Sequence, residues 1–135
     1  MSATSNATAK EKKIRKSSPA LSQAIHKMRL QHAPFTAIEN GTKTVEMRLF
    51  DEKRKLLAVG DFIRFTDMEN GNVMLCEVIA LHKCNTFEEL YAHFDKKALG
   101  YNDDDTANPA DMLAYYTKEE VAQYGVLGIE IKKQK

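Results

Sequence analysis

The chain contains no tryptophan, only two cysteines and only three prolines. Cys76 and Cys84 cannot build a disulfide framework, nor a four-cysteine zinc site, so free buried thiols in a reducing compartment are expected. No stretch approaches the ~18 consecutive apolar residues that cross a membrane. The N-terminus lacks the apolar core of a secretory signal, so the expectation is a cytoplasmic protein. An excess of charge is also missing: 20 basic and 19 acidic residues leave a formal charge of +1. There is no Gly-rich phosphate loop and no serine with a visible His and Asp partner arrangement. His26, His32, His82 and His93 show no metal-ligand spacing. Asp103, Asp104 and Asp105 lack the alternation of a calcium loop. Neither a metal nor a cofactor is expected.

What is present suits one soluble domain: 135 residues, 43% hydrophobic and 29% charged. The near-zero charge is an average over unlike parts. Residues 1–20 carry Lys10, Lys12, Lys13, Arg15 and Lys16 against Glu11, a net of +4, and the remainder is −3. The first segment is Ser, Thr, Asn, Ala and Lys with few large apolar groups. It cannot bury enough surface to offset its ordering entropy, and it reads as a disordered basic tail before a domain at residues 21–135. The −3 body argues against broad duplex coating while leaving room for a small cationic cleft.

Alternation places strands at residues 24–31, 44–50, 61–67, 73–81 and 126–131. Residues 73–81 are almost continuously apolar, broken by Glu77, which suggests a central strand. Glu69-Asn70-Gly71-Asn72 reads as a hairpin turn. Phe35 and Ile38 mark a short helix at residues 34–40, stopped by Asn40 and Gly41, where both residues tolerate positive φ. Thr86 and Glu89, then Thr117 and Glu120, have capping-box spacing for two more helices. Asn108-Pro109 opens a fourth, running to about residue 116. Strands on both sides of short helices give an α+β fold whose five strands can close into a small barrel.

The strand at residues 44–50 is the most informative. Val45, Met47 and Leu49 share one face, and Thr44, Glu46 and Arg48 share the other. Burying the apolar face leaves a carboxylate and a guanidinium on the opposite one, with Lys43 at the strand entry. Arg48 can make bidentate contacts to phosphate or a base edge, and Lys43 can bind phosphate or a ligand oxygen. Lys53 and Arg54 on the following loop are further candidate contacts. Tyr115, Tyr116 and Tyr124 are candidates for stacking on a base.

The stretch PFTAIENGTKTVEMRLFDEKRKLLAVGDFIRF, residues 34–65, resembles the core signature of the ASCH family. The pattern of glycine, lysine, glutamate and arginine falls on Gly41, Lys43, Glu46 and Arg48, and a later glycine-aspartate pair on Gly60-Asp61. TFEELYAHF at residues 86–94 and YTKEEVAQYGVLGIEI at residues 116–131 are also similar to bacterial stand-alone ASCH proteins. The resemblance implies a small five-stranded PUA-like β-barrel with short flanking helices. It implies binding of RNA or a modified nucleoside in a cleft lined by Lys43, Thr44, Glu46, Arg48, Lys53, Arg54, Tyr116 and Tyr124.

Within the same resemblance, one group of relatives hydrolyses the amide of N4-acetylcytidine and another is described as ribonuclease. The amidohydrolase set has a lysine, a threonine three residues later and a distant glutamate. Lys43 matches the lysine and would be the catalytic residue of an enzyme. Glu46 stands where the threonine would be, Thr44 follows the lysine by one residue, and the distant glutamate has no assigned counterpart. The chemistry weighs the same way. An ordinary lysine, with a pKa of about 10.4, is charged near neutrality, and Glu46 would keep Lys43 so. A paired Lys, Glu and Arg cluster suits binding better than supplying a free amine. An amidohydrolase is the alternative, and a protein-interaction module is the third reading.

Overall fold

The computed structural model describes residues 24–135. The expected disordered tail at residues 1–20 lies outside the described residues. The elements run β1 (Ile25–Leu30), α1 (His32–Glu39), β2 (Val45–Leu49), a 3-10 turn (Arg54–Leu56), β3 (Phe62–Asp67), β4 (Val73–Cys84), α2 (Phe87–His93), a 3-10 helix (Pro109–Ala114), α3 (Lys118–Tyr124) and β5 (Val126–Lys133). No described helix is long and apolar enough to cross a membrane.

The five strands form one sheet in the order β1-β3-β4-β5-β2, curled into a half-barrel beside the short helices. β1 pairs with β3 in parallel, and the other three pairings are antiparallel. The α+β barrel expected from the strand pattern is therefore the fold observed. Its ladder stays open between the two edge strands, β1 and β2.

Two apolar layers flank this sheet. Inside the curl, Met28, Leu30, Ile63, Phe65, Cys76, Val78, Leu127 and Ile129 pack with Phe35 and Ile38 of α1. On the other side of β2 and β5, Val45, Met47, Leu49 and Val126 pack against Phe87 and Leu90 of α2, with Leu99 and Met112. β5 serves both layers, which is why Val126, Leu127, Gly128 and Ile129 are buried in succession. Alternation inward at Leu127, Ile129 and Ile131 is only half of that strand's role.

Local chemistry explains the boundaries. Thr86 Oγ1 accepts from the Glu89 N–H, and Glu89 reaches back to the Asn85 N–H. Thr117 and Glu120 form a complete capping box. Asn108 caps the segment after it, but that segment is a 3-10 helix ending at Ala114, so it is tighter and shorter than the pattern suggested. α1 begins at His32, with Pro34 inside its first turn. Asn40 keeps a helical φ of −78°, and only Gly41, at +84°, takes the left-handed conformation that ends the helix.

β4 is central and runs on to Cys84, where its outer face meets α2 through Cys84 and His82. Val73, Leu75 and Ile79 are exposed because that helix covers only the C-terminal end of the strand's outer face. Both thiols are free. Cys76 lies in the core, where burial pushes its pKa up to about 11, and Cys84 is half-buried. With seven residues of extended strand between them they cannot meet.

Two consequences can be measured. A Cβ at Gly128 would stand 2.7 Å from Leu90 Cδ1, so α2 sits directly on that glycine. Gly128→Val is expected to lower unfolding stability by ~1–3 kcal/mol; an unchanged urea midpoint would show that the helix is not seated there. The second concerns His32, whose Nδ1 lies 2.7 Å from Asp67 Oδ2. That hydrogen bond, together with the Glu69 and Asp67 charges, holds the His32 pKa above its ordinary value. The added stability is complete below the unfolded pKa of about 6.5 and declines as pH rises through the higher folded value. Thermal unfolding should separate wild type from His32→Ala most at about pH 5.5 and least at about pH 9. A gap that widens with pH would reverse the assignment.

Candidate functional site

The seam left open between β1 and β2 is lined by charge. Across the β2–β5 ladder, Glu46 stands opposite Ile129 and Arg48 opposite Leu127. Residues directly opposite share a face of the sheet, and Leu127 and Ile129 point into the curl. The carboxylate and guanidinium of β2 therefore project into the mouth of the barrel. Its Val, Met and Leu point outward, into the helical layer. Burying the apolar face did not leave the other face in solvent. Glu46 is only 6% exposed, and of the three polar residues expected in a row only Thr44, before the strand begins, is exposed.

Backbone contacts hold the entry to β2. Ala37 O of α1 accepts from the Thr42 and Lys43 N–H groups, and Ala98 O accepts from Thr44 and Val45. Lys43 is thereby directed inward and is 5% exposed. Its Nζ donates to Val45 O at 2.8 Å and to Leu99 O at 3.0 Å. It also lies 3.4 Å from Glu46 Oε1. Gly100, at φ +108°, lies against the lysine stem, where a Cβ would come within 3.1 Å of Lys43 Cδ. Two carbonyls thus accept from the ammonium, and the Glu46 carboxylate faces it as an ion pair.

Glu46 is shared. Oε1 faces Lys43, and Oε2 accepts from Arg48 Nε at 2.7 Å. Burial alone would raise this carboxyl's pKa, but the Lys43 and Arg48 charges and their hydrogen bonds outweigh it and hold the pKa below the ordinary value. Arg48 then spans the open seam, donating from a terminal nitrogen to Arg29 O of β1 at 2.9 Å. These bonds use two of the five guanidinium N–H groups.

The cluster opens onto a cleft of about 800 Å³. Lys43, Glu46, Arg48, Tyr115 and Tyr116 of the sequence-derived candidates line it, and Thr44, Lys53, Arg54 and Tyr124 do not. Thr44 is exposed outside the cleft, where Thr42 lines the wall in its place. Lys53 is exposed on the loop after β2. Arg54 is held by Asp51 at 3.3 Å, and its Nε is buried with no hydrogen-bond partner among the described residues. Tyr124 packs against the outer core. Tyr116 stacks on Phe87 at 6.0 Å between ring centroids. Burial raises its hydroxyl pKa, offset in part by Arg48.

The cleft also contains groups that alternation could not find. Arg29 comes from β1, Tyr91 from α2, Tyr101 from the following loop, and Asp111 from the 3-10 helix. They come from separate parts of the chain, and no local spacing links them. The one available signal was Gly100 in the polar loop at residues 95–107, a glycine where the backbone meets Lys43.

The cluster predicts its own sensitivity. Glu46→Gln leaves two buried cations without their shared counter-charge and should cost ~3–5 kcal/mol. The wild-type contribution is present above the ordinary carboxyl pKa of about 4.5 and is lost as pH falls through the lower folded value. Urea denaturation of both proteins at about pH 7 and about pH 3 should therefore show the gap shrinking in acid. A constant gap would remove the charge from the explanation.

Comparison with known proteins agrees with this architecture. The ASCH domain profile matches residues 28–135. The crystal structure of the hypothetical protein PH0355 is similar, with a TM-score of 0.70 and 26% identity over 82% of this chain and 99% of that one. The solution structure of protein PF0455 from Pyrococcus furiosus is similar at 0.65 and 27% identity, covering 82% and 98%. A mutant ZmASCH protein from Zymomonas mobilis shares the fold at 0.59 and 14% identity, covering 82% and 71%. No curated protein sequence matches. With its profile match running from within β1 to the last residue, the chain belongs to the ASCH domain family.

Proposed function

We propose that this ASCH domain binds a short single-stranded RNA segment or a modified nucleoside in the cleft at its open seam. The observation that carries this reading is Arg48, a guanidinium fixed by Glu46 and Arg29 O at the cleft wall with further donors to offer. A planar donor held in one orientation can recognise phosphate or a base edge in pairs of hydrogen bonds. Two further features support it. The cleft is within the size range of small-ligand sites. The exposed ring of Tyr115, tilted against Tyr116 at 6.5 Å, offers a surface on which a base can stack.

Lys43 takes a positioning role in this reading. Its ammonium donates to Val45 O and Leu99 O and pairs with Glu46, so it holds Glu46, the entry to β2 and the Leu99–Gly100 backbone together. The same arrangement weighs against Lys43 as a base or nucleophile for amide hydrolysis, because a committed ammonium has no lone pair to give.

Fluorescence anisotropy with short single-stranded RNAs and NMR titration with nucleosides test the proposal. Arg48→Ala removes the fixed donor, and Tyr115→Ala removes an exposed ring on which the fold does not depend. Each is expected to weaken binding about tenfold or more, with Tyr115→Ala keeping wild-type stability. The salt dependence should be shallow, corresponding to about one or two phosphates. Wild-type protein that binds neither RNA nor nucleoside would defeat the proposal. Release of acetate from N4-acetylcytidine would move the reading to an enzyme.

A further inference from the structure

The wall of the cleft formed by α2 and the loop after it carries a hydrogen-bonded chain that the proposed function does not use. Tyr91 Oη lies 2.8 Å from Tyr101 Oη. Tyr101 Oη lies 2.7 Å from Asp111 Oδ2 and 3.3 Å from Asn108 O. All three side chains line the cleft.

The direction of this chain follows from counting protons. A carboxylate and a carbonyl can only accept, so the single Tyr101 proton is given to Asp111. Tyr101 therefore has none left for Tyr91, and Tyr91 donates to it. Burial raises the pKa of both hydroxyls, Tyr91 most strongly, so both protons remain in place near neutrality. Every donor on this wall is then used internally. What it turns toward a ligand is acceptor capacity, the second Asp111 oxygen and the lone pairs of Tyr91. The neighbouring Asn102 amide can present either polarity and does not discriminate. Arg48, in the same cleft, presents donors only.

We infer that Tyr91, Tyr101 and Asp111 form a specificity wall that selects a nucleobase carrying an exocyclic amino group over its keto counterpart. An amino group donates to the wall and satisfies it. A keto oxygen in its place would bring two acceptors together and leave both unpaired in a partly desolvated cleft. Asp111 and Tyr91 would touch the ligand, and Tyr101 acts through them as the positioning residue. This inference rests on the cleft being a nucleotide site.

The test compares ligands that exchange an amino for a keto group. Adenosine and inosine form one pair, cytidine and uridine the other, each as the 5′-monophosphate and as a hexameric RNA. Affinities are measured by calorimetry on the full chain. Wild type should prefer the amino member of each pair by about tenfold or more. Asp111→Asn presents either polarity, and Tyr101→Phe breaks the chain while keeping the ring. Both should bring the preference to within about threefold, with the melting temperature of Asp111→Asn unchanged because that residue is exposed. Equal wild-type affinities, or a preference that survives both variants, would overturn the specificity wall and leave the nucleotide site standing. Failure of every nucleotide and RNA to bind would overturn both.

Discussion

One carboxylate holds the open side of this barrel in place. Glu46 sits inside the curl between two cations, and each cation reaches a different part of the chain. Through Lys43 it is tied to the Leu99 carbonyl and the loop that forms one wall of the cleft. Through Arg48 it is tied to the Arg29 carbonyl on the far edge strand. Removing three charges from water is expensive, and a hydrophobic replacement of similar shape often gives an equally stable protein. The arrangement is better understood by what it positions than by what it stabilises. It fixes the gap between β1 and β2 and leaves a guanidinium with unused donors lining the cleft.

The sheet topology makes that gap unavoidable. β1 pairs with β3 and β2 with β5, so the two edges face each other without a ladder. An open edge of unpaired backbone groups is a hazard that proteins cover or charge. Here the Arg48 side chain serves both purposes, since it satisfies one carbonyl of the opposite edge and places a charge in the opening. The outer apolar layer, with α2 seated on Gly128, backs β2 and β5. The charged side chains in the mouth are therefore mounted on a rigid element, as a binding group requires.

Much of this was legible from the residue pattern, for identifiable reasons. Capping residues such as Thr86, Asn108 and Thr117 act through bonds to neighbours two or three positions away, so local sequence suffices to find them. Alternation located all five strands. It also assigned Glu46 and Arg48 to one face, but it could not say which face looks inward. The apolar face of β2 is a core face as expected, but the polar face does not meet water, because the strand separates two layers. At β4 the apolar run placed the strand correctly in the centre of the sheet, but not the exposure of Val73, Leu75 and Ile79, because α2 covers only the far end of that strand. Both points share a cause: alternation reports the period of a strand and nothing about what packs on either side. Spacing was a poorer guide still to the rest of the cleft. Lys53 and Arg54 are close to Arg48 in sequence but do not line it, whereas Tyr91, Tyr101 and Asp111 are distant in sequence and do.

The polarity of the cleft follows from where its protons already are. A pocket containing a lysine, an arginine, a glutamate and several tyrosines looks versatile when its groups are counted. Much of that versatility disappears when each hydrogen bond is assigned a donor. Lys43 is turned onto two carbonyls and Glu46, both Glu46 oxygens face cations, and the Tyr91 and Tyr101 protons are passed along toward Asp111. What remains is a donor group at Arg48 and an acceptor wall ending at Asp111. The near-neutral charge of the chain fits this economy. A protein that grips a phosphate backbone needs many cations, whereas one that reads the edge of a base needs a few polar groups whose bonds are already oriented.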